Sequence, residues 1–159
     1  MRGHVAASAL VDVRIDKLRC CDMQEHGLAL LEANAQETGH RELDVDWSSY
    51  YRAEARHNLL MFGAWVDEEL IGYVIGFYLD NHPQHANWAH VHVDALFVHP
   101  DYRARSAAAL QLMSTMSRAA KSLRATSVLW AAKIGTGFEH ALDSHGRYRK
   151  VETIYEEQL

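Results

Sequence analysis

The chain has 159 residues, 48% of them hydrophobic and 23% charged, which are the length and balance of one domain with a single core. Its formal net charge of −5 argues against nucleic acid as the main partner, because phosphate backbones are bound by basic surfaces. No apolar run is long enough for a membrane-spanning helix, and the N-terminal stretch lacks the apolar core of a signal peptide. The sequence therefore predicts one domain over residues 1–159 and no membrane partner.

The first third of the chain predicts one strand and two helices. Residues Leu10–Ile15 alternate apolar and charged side chains, as a half-buried strand does. The adjacent Cys20 and Cys21 follow, and neighbouring cysteines rarely bridge each other, so we expect free thiols and a reducing, cytoplasmic setting. Helical spacing predicts a single helix over Asp22–Glu37, and a second helix begins after Asp46, which is a good N-cap residue.

The middle of the chain predicts three strands. Two β-rich runs, LLMFGAWV and LIGYVIGFYL, are joined by a short acidic turn and form a hairpin. Residues Asp80–Ala89 are a loop, because Asp, Asn, Pro and His interrupt any regular pattern there. The run HVHVDALFV is a further strand, which His99-Pro100 ends.

The last third predicts two helices and two strands. An apolar stripe indicates an amphipathic helix over Ser106–Leu123, followed by a strand over Ser127–Ala132. The run GFEHALDSHG predicts a short helix, and KVETIYEEQ alternates as a final strand would. The fold class is therefore mixed α/β, with antiparallel early strands and a parallel, right-handed strand–helix–strand unit over His90–Ala132.

A candidate anion site lies where the strand HVHVDALFV meets the following helix. The first amides of a helix have no intrahelical acceptor, and the helix dipole adds partial positive charge there. Arg103 and Arg105 add full charges, and the side chains of Ala104, Ser106, Ala107 and Ala108 are small enough to let a diphosphate reach the backbone. On these local features alone, a solvated helix start is an equally good interpretation.

The segment DALFVHPDYRARSAAAL resembles the GNAT (Gcn5-related) N-acetyltransferase superfamily. The family signature is Arg or Gln, two residues, Gly, one residue, then Gly or Ala; the chain reads RARSAA from Arg103 to Ala108, with Ser106 in place of glycine. The hairpin AWVDEELIGYVIGF is also similar to the family's second and third strands. The resemblance implies a GNAT-like fold, splayed at its parallel strands for acyl-CoA, and an N-acetyltransferase of primary amines.

The resemblance also implies how the donor, acetyl-CoA, would bind. Its pyrophosphate would lie on the amides of the loop and helix start, and its pantetheine arm would pair with exposed strand backbone. The cofactor-binding residues expected on this basis are Leu96, Phe97, Val98, Arg103, Ala104, Arg105, Ser106, Ala107 and Ala108. The backbone N–H near Val98 would stabilise the oxyanion.

Asp94 is the first candidate for the general base, since the family often has a glutamate at this point of the strand. Period-two alternation places His90, His92 and Asp94 on one face, where they could relay a proton through water. His92 is the second candidate, because an ordinary histidine titrates closer to neutral pH than an aspartate. Each of these residues could equally be a satisfied polar residue at a strand end.

The family's usual general acid is a tyrosine four residues before the glycine that ends the last helix. With Gly146 as that glycine, the position holds Leu142, so the family tyrosine is absent. Either the thiolate leaves unaided or another group serves; Tyr148 is the nearest candidate and Tyr155, in the predicted last strand, is a weaker one. A catalytically weak or inactive acyl-CoA-binding protein is therefore the alternative function.

The chain does not identify the acetyl acceptor. A small molecule or a protein amine is compatible with the resemblance, whereas the acidic charge disfavours an aminoacyl-tRNA. The first two helices and the loop Asp80–Ala89 are the expected acceptor site. The aromatic residues available there are Trp47, Tyr50, Tyr51 and Trp88, although aromatic residues in such positions more commonly cover the core under the helices. Glu54, Asp80 and Asp94 would suit a cationic acceptor. The resemblance also allows a homodimer paired through the last strand.

The chain carries 11 histidines, and four of them crowd one region: His82, His85, His90 and His92. Their spacings are tolerable for zinc, but no cysteine or carboxylate set completes a site. We therefore expect no functional metal, and histidines that line the acceptor pocket or lie exposed.

Overall fold

The structure is a computed structural model, and it describes residues 10–39, 42–80, 84–152 and 154–157. The strands of the described residues are β1 (Arg14–Lys17), β2 (Leu59–Val66), β3 (Glu69–Leu79), β4 (His90–Val98) and β5 (Ser127–Trp130). The helices are α1 (Cys20–His26), α2 (Leu28–Thr38), α3 (Trp47–Ala55), α4 (Pro100–Arg103), α5 (Ala108–Ser122) and α6 (Gly137–Ser144).

The five strands form one sheet in the order β1-β2-β3-β4-β5. The pairs β1–β2, β2–β3 and β3–β4 are antiparallel, and β4–β5 is parallel, with α5 as the crossover. This arrangement confirms the predicted mixed α/β fold and its parallel strand–helix–strand unit.

Two apolar clusters hold helices against the two faces of the sheet. On the α5 face, the apolar stripe of α5, including Leu112 and Met116, packs against sheet residues such as Val91 and Val93. On the α1–α3 face, residues of the first helices pack against Tyr73, Ile75 and their neighbours. The sheet is therefore covered on both sides, by α5 on one face and by the first three helices on the other.

The predicted helix over Asp22–Glu37 is two helices. Gly27 ends α1 and precedes α2, and a Cβ atom there would lie 2.3 Å from the Met23 sulfur. Periodicity runs through this break because both helices bury the same side. The first strand also starts later than predicted, since the Val11 N–H donates to the Arg105 carbonyl (2.8 Å) and the ladder with β2 begins only at Arg14.

The predicted last strand was wrong for the described residues. Residues 150–152 and 154–157 form no strand, and Thr153 and Gln158 lie outside the described part of the chain. Val151 and Tyr155 are 60% and 90% exposed, and the described residues of this segment pair with neither of the sheet's outer strands, β1 and β5. Alternation of apolar and polar residues is typical of a half-buried strand, but a segment forms a strand only where a neighbouring strand is available for hydrogen bonding.

A β-bulge interrupts the pairing of β3 with β4. Ile75 pairs with Ala95 and the next residue, Gly76, pairs with Val93, so Asp94 is the extra residue. The strands approach closely here: a Cβ atom on Gly76 would lie 2.9 Å from the Val91 side chain. The bulge therefore combines an unpaired aspartate on one strand with a glycine on the other.

None of the described helices is long and apolar enough to cross a membrane.

Candidate active site

The parallel strands β4 and β5 separate part-way along β4. Their pairing runs from His90–Ser127 to Val93–Trp130, and the last bond joins the Ala131 N–H to the Val93 carbonyl (3.2 Å). β4 continues to Val98 without a partner on that side. The predicted donor-binding residues Leu96, Phe97 and Val98 lie on this stretch, which has no strand partner on the β5 side. Apart from the Val98 carbonyl, which Arg103 binds, its backbone can pair with a ligand that offers amide groups.

The bulge reverses the side-chain alternation of β4. Val91 and Val93 face α5, whereas beyond Asp94 it is Leu96 and Val98 that pack on that side and Phe97 that packs on the α1–α3 face. A continuous period of two would have kept Phe97 on the α5 face. The exposed Asp94 sits at the reversal, beside the point where β5 departs.

The two predicted base residues lie close together on β4. His92 pairs across the sheet with Phe77, which packs on the α1–α3 face, and His92 is half-buried. Asp94 is exposed two residues further along. His90 lies beneath the ring of Trp88, with the ring centroids 4.4 Å apart, and is buried. Water can therefore reach Asp94 and His92 more easily than His90.

Two tyrosines occupy the α1–α3 face near Asp94. Tyr73 is fully buried, and its hydroxyl oxygen accepts a hydrogen bond from the Asn34 side chain (2.9 Å). Burial raises the pKa of Tyr73 well above its ordinary value, and the Asp94 charge adds to this rise. Burial followed by the Asp94 charge likewise raises the pKa of Tyr50. Both tyrosines are therefore neutral neighbours of the carboxylate.

Arg103 is already bound by protein groups. Its Nε–H donates to the Val98 carbonyl (2.7 Å), its Nη2 lies 2.6 Å from Glu37 Oε2, and its guanidinium stacks 5.2 Å from the Phe97 ring centroid. The Arg105 guanidinium lies over the Tyr102 ring at 5.3 Å. Both arginines thus flank the loop as predicted, but the Arg103 charge is shared with Glu37.

The loop delivers several free amides to the start of α5. The first intrahelical bond of α5 is from the Gln111 N–H to the Ala107 carbonyl (2.9 Å), so the preceding amides point out of the helix end. The Ser106 hydroxyl donates to the Tyr102 carbonyl (2.7 Å) and accepts weakly from the Ala108 N–H (3.4 Å). Non-glycine residues with positive φ in the described chain are His57, Asp67 and Arg124, so the loop does not need glycine at Ser106.

The C-terminal turn of α2 bridges the two sides of the opening. Glu37 binds Arg103, which follows β4, and the Thr38 carbonyl accepts from the Lys133 ammonium (2.6 Å), which follows β5. A helix C-terminus carries partial negative charge, which favours both cations. The end of α2 is therefore joined to both strands beyond the point where they separate.

Tyr148 lies away from the two base candidates. It lines a surface cleft of about 530 Å³ together with residues of α5 and β5 such as Ala120 and Val128. Its ring packs edge-to-face against His145, with the centroids 5.9 Å apart. Tyr155 is 90% exposed in the irregular C-terminal segment. The structure thus brings Asp94 and His92 together and leaves both predicted acid candidates elsewhere.

The predicted acceptor residues fall into separate groups. Trp47 and Tyr50 are half-buried on the α1–α3 face, whereas Tyr51 is exposed and donates to Gln24 (2.5 Å). Trp88 stacks on His90 and donates to the Ser127 hydroxyl (3.3 Å) at the start of β5. Within the described ranges no three His, Cys, Asp or Glu side chains converge as metal ligands, and His82 lies outside them.

The sequence profile of the Acetyltransferase (GNAT) family matches residues 26–150, which is most of the chain. The chain belongs to this family. No curated protein sequence matches it. The GNAT resemblance carried by the Arg103–Ala108 loop is thereby confirmed at the level of the family.

Solved structures with the same fold belong to acetyltransferases. The ribosomal-protein-alanine N-acetyltransferase of Brucella melitensis biovar Abortus 2308 is 22% identical, with a TM-score of 0.70 over 92% of this chain and 99% of its own. A predicted acetyltransferase from Clostridium acetobutylicum, solved with acetyl-CoA, is 12% identical, with a TM-score of 0.71 over 92% of this chain and 96% of its own. The enzyme AAC(6')-Iy, solved with the bisubstrate analogue CoA-S-monomethyl-acetylneamine, is 15% identical, with a TM-score of 0.70 over 93% of this chain and 98% of its own. At these identities the likeness shows the shared GNAT fold.

Four residues of this region were not found from the sequence: Asn34, Glu37, Tyr73 and Lys133. Tyr73 had a usable signal, because alternation along β3 places it with the buried Ile75 and Phe77, where a hydroxyl needs a partner. Glu37 and Lys133 had none, since their partners lie 66 and 95 residues away in the chain.

Proposed function

We propose that this protein is an acetyl-CoA-dependent N-acetyltransferase that acetylates a primary amine. The observation that carries the proposal is the opening between β4 and β5, which begins at Asp94 and ends at the amides before α5. The open edge of residues 95–98 suits the amides of a pantetheine arm. The helix-start amides of Ser106 to Leu110 suit a diphosphate, although the Ala108 N–H makes a long bond to the Ser106 hydroxyl (3.4 Å). The acetyl-CoA-bound and CoA-analogue-bound GNAT neighbours support the same donor.

Asp94 is the proposed general base, with His92 as second candidate. The amine nitrogen forms a bond to the acetyl carbonyl carbon, the carbon–sulfur bond breaks, and the thiolate of coenzyme A leaves. An amine that arrives as the ammonium first loses one proton to Asp94, directly or through a water that His92 contacts, which frees its lone pair for the attack. The second proton, which the nitrogen loses after the attack, passes to the departing thiolate. The backbone N–H near Val98 stabilises the developing oxyanion. With Leu142 at the family's tyrosine position, the thiolate leaves without a protein acid.

The test is the turnover of acetyl-CoA against a panel of primary amines, with free thiol release as the readout. Asp94→Asn should lower kcat by about 10²-fold or more, because a general base contributes on this scale, while calorimetry shows unchanged binding of acetyl-CoA. The matched variant His92→Gln should show a smaller fall in kcat than Asp94→Asn. An Asp94→Asn protein with full turnover would move the base to His92 or to bulk water.

The position of Tyr148 favours one second candidate function. With Tyr148 in the cleft beside α5, and no tyrosine at Leu142, the chain also suits a GNAT-fold protein that binds acyl-CoA and transfers slowly or not at all. Tight binding of acetyl-CoA without thiol release on any amine would support it. The acceptor of the transferase is a small-molecule or protein amine. Light scattering would test whether the protein forms a homodimer.

A further inference from the structure

Three aromatic rings form a row on the α1–α3 face. The centroids of Trp47 and Tyr50 are 5.8 Å apart, and those of Tyr50 and Phe77 are 6.0 Å apart. All three side chains are half-buried, so each ring packs on the core and leaves part of its surface exposed. The row joins two elements that are far apart in sequence, α3 and β3.

The row leads to the proposed catalytic carboxylate. Phe77 pairs across the sheet with His92, and directly opposed side chains lie about 5 Å apart at Cβ. Asp94 follows two residues later, at the bulge. Burial, and after it the Asp94 charge, raises the pKa of Tyr50, the middle ring of the row. The row therefore ends opposite His92, two residues before Asp94.

We propose that Trp47, Tyr50 and Phe77 bind the body of the acetyl acceptor, and that the acceptor is a primary amine carried on an aromatic group. This inference rests on the proposed function, because it needs the amine to reach Asp94. A carboxylate at the end of the row attracts the ammonium form, and rings beside it stack on an aromatic body and remove it from water.

The other two aromatic residues expected at the acceptor site, Tyr51 and Trp88, lie outside the row. Tyr51 lies on the same helix but is 41% exposed and turned toward Gln24 of α1. Trp88 stacks on His90 beside the start of β5, which is the paired end of the parallel strands rather than the open one. The row is therefore defined by position relative to Asp94 and not by the abundance of aromatic residues.

The first experiment compares 2-phenylethylamine with 2-aminoethanol, which carry the same amine on an aromatic and a polar body. We expect kcat/KM to be about 10²-fold or more higher for 2-phenylethylamine. Trp47→Ala should raise KM for 2-phenylethylamine about tenfold and leave KM for acetyl-CoA unchanged, whereas Trp47→Phe should restore most of the preference. Tyr51→Ala, on the same helix but off the row, is the matched control and should leave the preference intact.

Equal use of the two amines, or a Trp47→Ala protein that loses both equally, would overturn the inference. Binding of 2-phenylethylamine to the protein with coenzyme A, followed by tryptophan fluorescence or calorimetry, separates it from the proposed function. If no amine is acetylated but 2-phenylethylamine still binds and Trp47→Ala weakens that binding about tenfold, the aromatic binding site is supported and the transferase function is refuted. If 2-aminoethanol is acetylated and 2-phenylethylamine does not bind, the transferase function is supported and the aromatic binding site is refuted. Thermal unfolding of each variant shows that it is folded.

Discussion

Single polar side chains decide how much of the donor site is free. At the start of α5 the Ser106 hydroxyl stands where GNAT proteins usually have glycine, and it bonds to both the Tyr102 carbonyl and the Ala108 N–H. The second bond is long, at 3.4 Å, and therefore weak. The hydroxyl thus competes for one of the amides that the diphosphate would use, while the backbone itself needs no glycine there.

Replacing Ser106 tests this competition. Ser106→Ala should bind coenzyme A a few-fold more tightly, because the Ala108 N–H loses its protein acceptor, and should be slightly less stable, because the bond to Tyr102 is lost. Ser106→Gly should give no further gain in affinity, since the residue does not adopt positive φ. Calorimetry with coenzyme A and urea unfolding measure the two effects. Weaker binding by Ser106→Ala would show that the hydroxyl helps to hold the ligand.

At the scale of the element, α3 depends on its N-cap. The Asp46 carboxylate accepts from the Ser49 N–H (3.1 Å) and from the hydroxyls of Ser48 and Ser49. Hydrogen bonds from the Ser49 side chain, then Ser48, lower the pKa of Asp46 to about 2. The cap fixes the first turn of the helix that presents Trp47 and Tyr50. The predicted N-cap at Asp46 was therefore right.

The Asp46 cap should make the stability of α3 depend on acid. Its folded pKa lies below the ordinary value of 3.8, so the carboxylate stabilises the fold above about pH 4 and loses that contribution as pH falls toward 2. Asp46→Ala should therefore be less stable than the wild type at pH 7, and the difference should shrink between pH 4 and pH 2. Urea unfolding across this range, with amide exchange of α3, is the measurement.

The neutral variant Asp46→Asn serves as the control for the cap. It keeps an acceptor for the Ser49 N–H and removes the charge. Its free energy of unfolding should therefore lie between those of the wild type and Asp46→Ala at pH 7, and the contribution of its cap should change little with pH. A difference between Asp46→Ala and the wild type that stays constant down to pH 2 would contradict the assignment.

At the scale of the whole molecule, ion pairs and hydrogen bonds connect α2 to both sides of the opening. The Arg103–Glu37 pair is exposed to solvent on both sides, and such pairs contribute only about 0–1 kcal/mol. A diphosphate carries more charge than one carboxylate and can displace Glu37 from Arg103. Binding of the donor would then be linked to the position of the end of α2, which also carries Asn34, the partner of Tyr73.

Glu37→Gln should bind coenzyme A up to about fivefold more tightly, because a weak exposed pair no longer competes for Arg103. The gain should shrink in high salt, where exposed charges are screened. Glu32→Gln makes the same change of charge on the same helix and is the control. An equal gain in both variants would attribute the effect to net charge alone.

The sequence predicted the topology better than the site. Hydrophobic alternation and the hairpin signal were enough for the order of β2, β3 and β4 and for the α5 crossover, because these elements bury continuous faces. The break at Gly27 was hidden, since α1 and α2 bury the same side. The last strand was wrong because alternation does not supply a partner. Asp94 and the Arg103–Ala108 loop came from motif and family resemblance, whereas Glu37, Tyr73 and Lys133 needed the three-dimensional contacts.

The extra residue in β4 is one that the cross-strand ladder omits. Val93 pairs with Gly76 and Ala95 pairs with Ile75, so Asp94 lies between two regular runs. Loss of Asp94 alone would join these runs and leave Phe97 on the α1–α3 face and Leu96 and Val98 on the α5 face. The sheet therefore does not need the aspartate that we propose as the base, and its place in the strand is explained by the chemistry of the site rather than by the pairing of the strands.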